Sequence, residues 1–312
     1  MTEQHQKYDH LFSNIKPNAI GGIKIFGRND GYRKPQKYDE VTNLENKIWA
    51  GLYQNQERQL DQYACREYLL GIKTLPIPRD RFPSFNDISS LIENSTGWSL
   101  FPAAGFLDEE LFFDLNASRQ FPVTDIVRQS PRFDEKYAGQ TIQNDQGYTP
   151  EPDIFHDIQG HVPFLMNKDY ARFLADMGKL GYALIKDEKD LGSELVSHNL
   201  KRLQNFAWWT YEFGLVKNHG ETDRFRRKPN DIDVEIYGAG IISSYDETRN
   251  VVQCAKGESN RAKFLPFDME EIVMTRFDYS DIQDRYFVVE SMQELYKSFY
   301  EHQNLFWYNG KN

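Results

Sequence analysis

The stretch from Tyr148 to Pro163, Tyr-Thr-Pro-Glu-Pro-Asp-Ile-Phe-His-Asp-Ile-Gln-Gly-His-Val-Pro, limits the local fold more than any other segment of the chain. Pro150 and Pro152 suit the approach to a helix and its first turn, where a missing N–H costs little. Glu151 and Asp153 place negative charge where a helix N-terminus favours it. Gly160 has the position of a C-cap, and Pro163 stops continuation of the helix. Two of the chain's seven histidines, His156 and His161, therefore flank a helix end. Five residues apart on a straight α-helix they would diverge by roughly 140°. A chain that bends at Gly160 brings His161 back beside His156.

A third residue belongs with this pair. Glu212 lies in Phe206-Ala-Trp-Trp-Thr-Tyr-Glu-Phe-Gly-Leu-Val216, an apolar, aromatic run with one acid near its middle. Such a carboxylate must be neutral, hydrogen-bonded, ion-paired or bound to metal. Two histidines and one carboxylate on one face are the ligand set of non-haem Fe(II) oxygenases. The same types also serve His₂Glu zinc hydrolases, so the residues leave iron and zinc both open.

The bulk properties exclude other classes. With 312 residues and 39% hydrophobic content, the chain can bury a sizeable core. No apolar stretch approaches the roughly 20 residues that span a bilayer. The polar N-terminus lacks the apolar segment of a signal peptide. Two cysteines, Cys65 and Cys254, argue against a disulfide framework and fit a reducing cytoplasm. A net charge of −10 disfavours nucleic-acid or anionic-membrane surfaces, which need basic patches.

Residues 1–40 show no sustained periodicity and read as an extended or poorly ordered lead-in, with residues 41–312 as one catalytic domain. Regular structure is expected from Thr42, an N-cap with Glu45 at capping-box spacing. Helical character continues or resumes at Leu60, Ala64, Tyr68 and Leu69, where Cys65 packs as a small hydrophobe. Leu75–Pro78 must be extended. Further helices are expected at Ser84–Glu93, Asp108–Arg119, 168–186, 193–218 and Ser291–His302. Phe101–Gly105 reads as a loop, and 129–147 and 219–232 as solvated surface segments. The glycines of Ile236–Ser244 permit close backbone approach. The fold class is mainly α with a few short β-strands.

The motifs resemble one family, the pterin-dependent aromatic amino acid hydroxylases, from about Asn43 to Phe299. They are Cys65-Arg-Glu-Tyr-Leu69, Ile77-Pro-Arg-Asp-Arg81, Thr96-Gly-Trp98, Phe112-Phe113, Arg119-Gln-Phe-Pro122, Glu151-Pro-Asp…His156…Gly160-His-Val-Pro163, Glu212-Phe-Gly-Leu215 and Tyr237-Gly-Ala-Gly240. Length, and the absence of an N-terminal regulatory domain, are similar to the bacterial phenylalanine-hydroxylating branch. The resemblance implies Fe(II) held by His156, His161 and Glu212. It implies a tetrahydropterin bound by Gly105, Leu107 and Phe112, with Asp157 as the nearby acid. It places Arg128, Thr149 and Ser243 at the substrate's amino-acid end, with Arg132 as the alternative carboxylate anchor. Trp208 and Phe213 match the aromatic wall of the pocket. Ala207 stands where the family commonly has a tyrosine close to the iron, and Tyr211 where a valine is usual.

The implied activity is O₂-dependent ring hydroxylation of an aromatic amino acid, L-phenylalanine to L-tyrosine. The alternatives are the same chemistry on tyrosine or tryptophan, a non-catalytic relative that binds pterin or amino acid, and a zinc hydrolase. Small molecules are the expected partners. A C-terminus without an extended heptad tail points to a monomer or small homo-oligomer.

Overall fold

The first long helix starts as its local chemistry dictates. Thr42 Oγ1 accepts the Glu45 N–H at 3.2 Å and Glu45 Oε2 accepts the Thr42 N–H at 2.7 Å, opening α1 (Asn43–Tyr63). The computed structural model describes residues 36–103, 107–124, 126–128, 152–187, 192–220, 225–226, 228–279 and 281–309. Residues 36–40, within the expected lead-in, are tied to the domain: Gln36 bonds Pro83 O and Phe85 N–H, and Tyr38 OH donates to Phe82 O.

Helical character resumes rather than continues after α1. The chain bends at Ala64–Cys65, where the Cys65 N–H pairs with Ile236 O, and restarts as α2 (Arg66–Thr74). Cys65 is fully buried and burial pushes its thiol well above its ordinary value, as suits a packing residue. Ser84 caps α3 (Phe85–Thr96), which ends on Gly97 at φ 74°, a left-handed position that favours glycine.

Next comes a strand–helix–strand unit. Phe101–Ala103, expected as loop, belong to β1 (Ser99–Ala103), which pairs in parallel with β2 (Gln120–Thr124) across α4 (Glu109–Ala117). Pro102 is tolerated because this ladder has only two strands, so the position needs no N–H partner on a second side.

The histidine stretch is helical, but Gly160 is not its C-cap. A π-helix spans His156–His161 and passes into a 3₁₀ turn at Val162–Met166, whose opening residues include Pro163. Asn167 then caps α5 (Lys168–Lys186), within its expected limits. The helix expected over 193–218 stops early. α6 (Ser193–Ala207) gives way to a second π-helix, Trp208–Glu212, and then to β3 (Leu215–Lys217).

β4 (Val234–Ile236), the short α7 (Ala239–Ile242), α8 (Tyr245–Ala255), β5 (Lys263–Pro266), α9 (Met269–Met274), β6 (Arg285–Val289) and α10 (Met292–Glu301) complete the domain. The second sheet has the order β4-β3-β6-β5, antiparallel between β3 and β4 and parallel elsewhere. Helices dominate, with few strands, as the composition of motifs implied.

The core is aromatic, and its buried indoles are hydrogen-bonded. Trp49, Trp98 and Trp209 are buried, and their indole N–H groups donate to Pro78 O, Ala171 O and Thr275 O. Arg226, in the segment expected to be solvated, is half-buried instead, with its side chain largely covered. It pairs with Glu235 and donates to Gln62 O, because its planar fork reaches two acceptors at once. Among the described residues no helix is long and apolar enough to cross a membrane.

Candidate metal centre

The two π-helices explain how distant ligands meet. An i→i+5 helix is wound more widely than an α-helix, which brings residues five apart closer to one face, whereas the α-helical pitch would have separated them. His156 and His161 are five apart, and their Nε2 atoms lie 3.1 Å from each other. The second π-helix ends on Glu212, whose Oε1 is 3.2 Å from His161 Nε2 and whose Oε2 is 3.6 Å from His156 Nε2.

What pulls the helices together is a wedge of small residues. The segment Gly238-Ala239-Gly240 lies against both of them. A Cβ on Gly160 would come 2.8 Å from Ala239 O, and one on Gly238 would come 2.4 Å from Glu212 O. One on Gly240 would meet the Phe213 ring at 2.5 Å. Gly160 is therefore needed for close backbone approach, not for ending a helix. The glycines of Ile236–Ser244 do what their composition suggested.

The donor set fits a metal ion. His156, His161 and Glu212 offer one ligand atom each within 4.8 Å of one another. An ion about 2.1 Å from each donor sets ligands at right angles about 3.0 Å apart, and tetrahedral ligands about 3.4 Å apart. Two of the three separations lie near the right-angle value. His161 is buried while His156 and Glu212 stay partly exposed, so the triangle is approached from one side.

Electrostatics agree. Burial pulls the His156 imidazole down to about 4, against the attraction of Glu212, which keeps it neutral and able to donate a lone pair. Burial alone would raise Glu212, but His161 and His156 outweigh it and hold the carboxyl below its ordinary value. The site thus carries a half-buried carboxylate whose charge a cation would neutralise.

The surrounding residues orient the ligands. His156 Nδ1 lies 2.8 Å from Ser243 Oγ, whose own O–H is directed at Gly240 O 3.5 Å away; with the hydroxyl oxygen accepting, Nδ1 carries the proton and Nε2 is free. Ser243, expected at the substrate's amino-acid end, sets its hydroxyl against His156, a candidate metal ligand. Arg128 is buried; its Nε and Nη2 bond Asp153 and its Nη1 donates to Ser243 O at 3.0 Å. The bidentate fork expected to take a substrate carboxylate is thus directed at Asp153. Asp153 also accepts the His156 N–H at 2.8 Å. The sequence marked Asp153 only as a helix-start acid; its partner Arg128 is 25 residues away.

Asp157 Oδ2 accepts the Thr124 N–H at 2.8 Å, and burial raises its carboxyl to about 7. Thr124 is the register partner of Ala103, so the end of β1 lies beside Asp157. Leu107 follows that end, and with Leu111, Leu115 and Ala103 forms a small apolar cluster against which the partly exposed Phe112 packs. Trp208 and Phe213 lie 4.5 Å apart between ring centroids, next to Glu212. Tyr211 is buried with its ring 5.7 Å from that of His161, and Phe121 is 5.3 Å from it on another side. Ala207 closes α6 just before the second π-helix. Gly105, Thr149 and Arg132 lie outside the described residues.

Comparison with known proteins places this centre in context. The family model described as biopterin-dependent aromatic amino acid hydroxylase matches residues 29–306. The phenylalanine-4-hydroxylase of Chromobacterium violaceum is 33% identical over 263 residues, 84% of this chain and 75% of that protein. The iron- and phenylalanine-bound crystal structure of the C. violaceum enzyme superposes with a TM-score of 0.68 at 29% identity, covering 96% of this chain and 91% of that one. Its structure with iron(III) and 7,8-dihydrobiopterin gives 0.71 at 29% identity, covering 93% and 92%. A two-histidine, one-carboxylate centre built on paired π-helices and a match over most of the chain lead to one assignment: the chain belongs to the biopterin-dependent aromatic amino acid hydroxylases.

Proposed function

We propose that the chain is an Fe(II)- and tetrahydropterin-dependent monooxygenase converting L-phenylalanine to L-tyrosine. The observation that carries this reading is the convergence of His156, His161 and Glu212 within 4.8 Å. The C. violaceum relative, named a phenylalanine-4-hydroxylase, supports the choice of substrate. When bound, iron and tetrahydropterin together supply the activation of O₂ and the two electrons that cleave it, one oxygen atom entering the ring and the other leaving as water.

The chain's own residues bind, orient and exclude. His156 is kept neutral by burial and aimed by Ser243. Leu107 and Phe112 form the apolar bed for the pterin ring, Phe112 presenting an aromatic face for stacking, and Gly105 is assigned to the same cofactor. Asp157, whose carboxyl burial raises to about 7, stands as a hydrogen-bonding group beside the same loop. Trp208 and Phe213 form a dry wall for the substrate's ring. Arg128, held in a buried pair by Asp153 and bonded to Ser243 O, marks the substrate's amino-acid end, and Thr149 and Ser243 are assigned to the same end. The protein acts in the cytoplasm on small molecules, as a monomer or small homo-oligomer.

The test is anaerobic loading with Fe(II), followed by air, tetrahydropterin and L-phenylalanine, with tyrosine and oxygen followed together. Tyrosine formed in step with oxygen consumed is the expected result, and Glu212→Ala abolishes both iron binding and product. Oxygen uptake without tyrosine redirects the site to another aromatic amino acid, which product analysis on tyrosine and tryptophan identifies. No uptake by the iron-loaded protein would leave a non-catalytic relative, and a requirement for zinc would point to hydrolysis.

A further inference from the structure

Trp208 is held in two different ways. Its ring stacks on Phe277 with centroids 4.2 Å apart and planes 10° from parallel, and it packs on Phe213 at 4.5 Å. Stacking fixes the plane of a ring but resists rotation within that plane only weakly. The in-plane orientation is set by one directional bond, from the indole Nε1–H to Gln283 Oε1 at 3.0 Å.

Gln283 is in turn fully constrained. It is buried in the turn that precedes β6. Its Nε2 donates to Asp278 O at 2.9 Å and to Asp281 O at 2.8 Å. Both amide hydrogens are therefore spent within the turn, and the amide cannot flip: its oxygen must face the indole. The Gln283 main chain is clamped to α8, its N–H donating to Glu247 Oε1 at 2.8 Å and its carbonyl accepting from Asn250 Nδ2 at 3.1 Å. Glu247 is completely buried, and its other oxygen accepts from Tyr286 OH, which also accepts from Asn250 Nδ2 at 2.8 Å. The chain of bonds runs from β6 and α8, through one amide, to the edge of one indole.

A turn that needed only to fold could close on its own carbonyls and leave the amide oxygen to water. Here that oxygen is directed at the ring proposed to face the substrate. We propose that Gln283, clamped by Glu247 and Asn250, is a positioning residue that sets the in-plane orientation of Trp208 and thereby the seat of the substrate's aromatic ring. The proposal rests on the placement of Trp208 in the pocket wall under the proposed function. Gln283 itself touches neither substrate nor metal.

The test uses the iron-loaded protein, with L-phenylalanine affinity measured anaerobically by calorimetry and tyrosine formed per tetrahydropterin oxidised measured in air. Gln283→Leu weakens phenylalanine binding about tenfold, the scale of one lost directional bond. It also lowers the tyrosine yield per pterin, while iron affinity stays within about twofold because the ligands are not in the bonded chain. Trp208→Phe, which keeps a stacking ring and lacks the donor, moves both readouts the same way, and adding Gln283→Leu to it changes nothing further. Additive losses in the double variant would overturn the proposal, as would unchanged affinity and yield in Gln283→Leu. Should Gln283→Leu fail to fold, Trp208→Phe decides alone, and unaltered affinity and yield then overturn it. Wild-type protein that neither binds phenylalanine nor forms tyrosine would instead refute the proposed function.

Discussion

Ser243 Oγ lies 2.8 Å from His156 Nδ1 with its own O–H turned to Gly240 O, so a residue 87 positions away in the chain selects which nitrogen of a candidate metal ligand carries its proton. Removing that partner frees the imidazole to rotate and to adopt the other tautomer. Ser243→Ala should weaken iron binding on the order of 10- to 100-fold, the usual cost of losing a partner behind a ligating histidine. Anaerobic Fe(II) titration reads this directly. An unchanged affinity would mean that packing alone orients His156.

The glycine wedge predicts a steric defect with a metal-binding consequence. A Cβ at Gly238 would stand 2.4 Å from Glu212 O and 2.7 Å from Gly214 N, both backbone atoms that cannot swing aside. Gly238→Ala should cost about 1–3 kcal/mol of stability through overpacking and move Glu212 away from the histidines. Urea unfolding and iron stoichiometry on the same preparation check both halves. Full stability with full iron loading would show that the segment gives way freely.

Arg128 and Asp153 form a buried ion pair that also holds the His156 N–H. Truncating one partner strands the other's charge in the interior. Asp153→Ala should therefore destabilise the protein by about 3–5 kcal/mol. The double variant with Arg128→Met should recover part of that loss, because the stranded charge is removed. Denaturant midpoints of the two single variants and the double variant decide it. A double variant as unstable as the sum of the singles would deny the coupling.

Glu247 makes stability depend on pH. Burial, only partly offset by the hydrogen bonds from Tyr286 and Gln283, raises its carboxyl from 4.5 to about 7. Between those values the folded chain holds a proton that the unfolded chain releases. This stabilisation is fully present below about pH 4.5, declines by about 1.4 kcal/mol per pH unit, and is lost as pH passes through 7. Denaturant midpoints at pH 5, 6, 7 and 8 should fall more steeply for wild type than for Glu247→Gln, which cannot ionise. Parallel pH profiles would place the titration elsewhere.

What the sequence by itself determined is chemistry whose partners lie a few residues apart. Thr42 and Glu45 satisfy each other across one turn, Gly97 ends a helix through its own φ, and the limits of Lys168–Lys186 follow a polar cap and an amphipathic period. The ligand types were legible because a histidine pair and a lone glutamate in an aromatic run need explanation wherever they fall. Tertiary structure decided the rest, because it depends on groups far apart in the chain. An α-helix through Gly160 would have set the two histidines on different faces. The π-helices form where Gly238, Ala239 and Gly240 press against them, and nothing local to His156 announces that. Phe101–Ala103 become a strand only because α4 returns β2 alongside. Ser243 reaches His156, Arg128 reaches Asp153 and Gln283 reaches Trp208 through bonds that no periodicity encodes. Burial makes these bonds matter, since inside the fold an unmet polar group has no water to turn to.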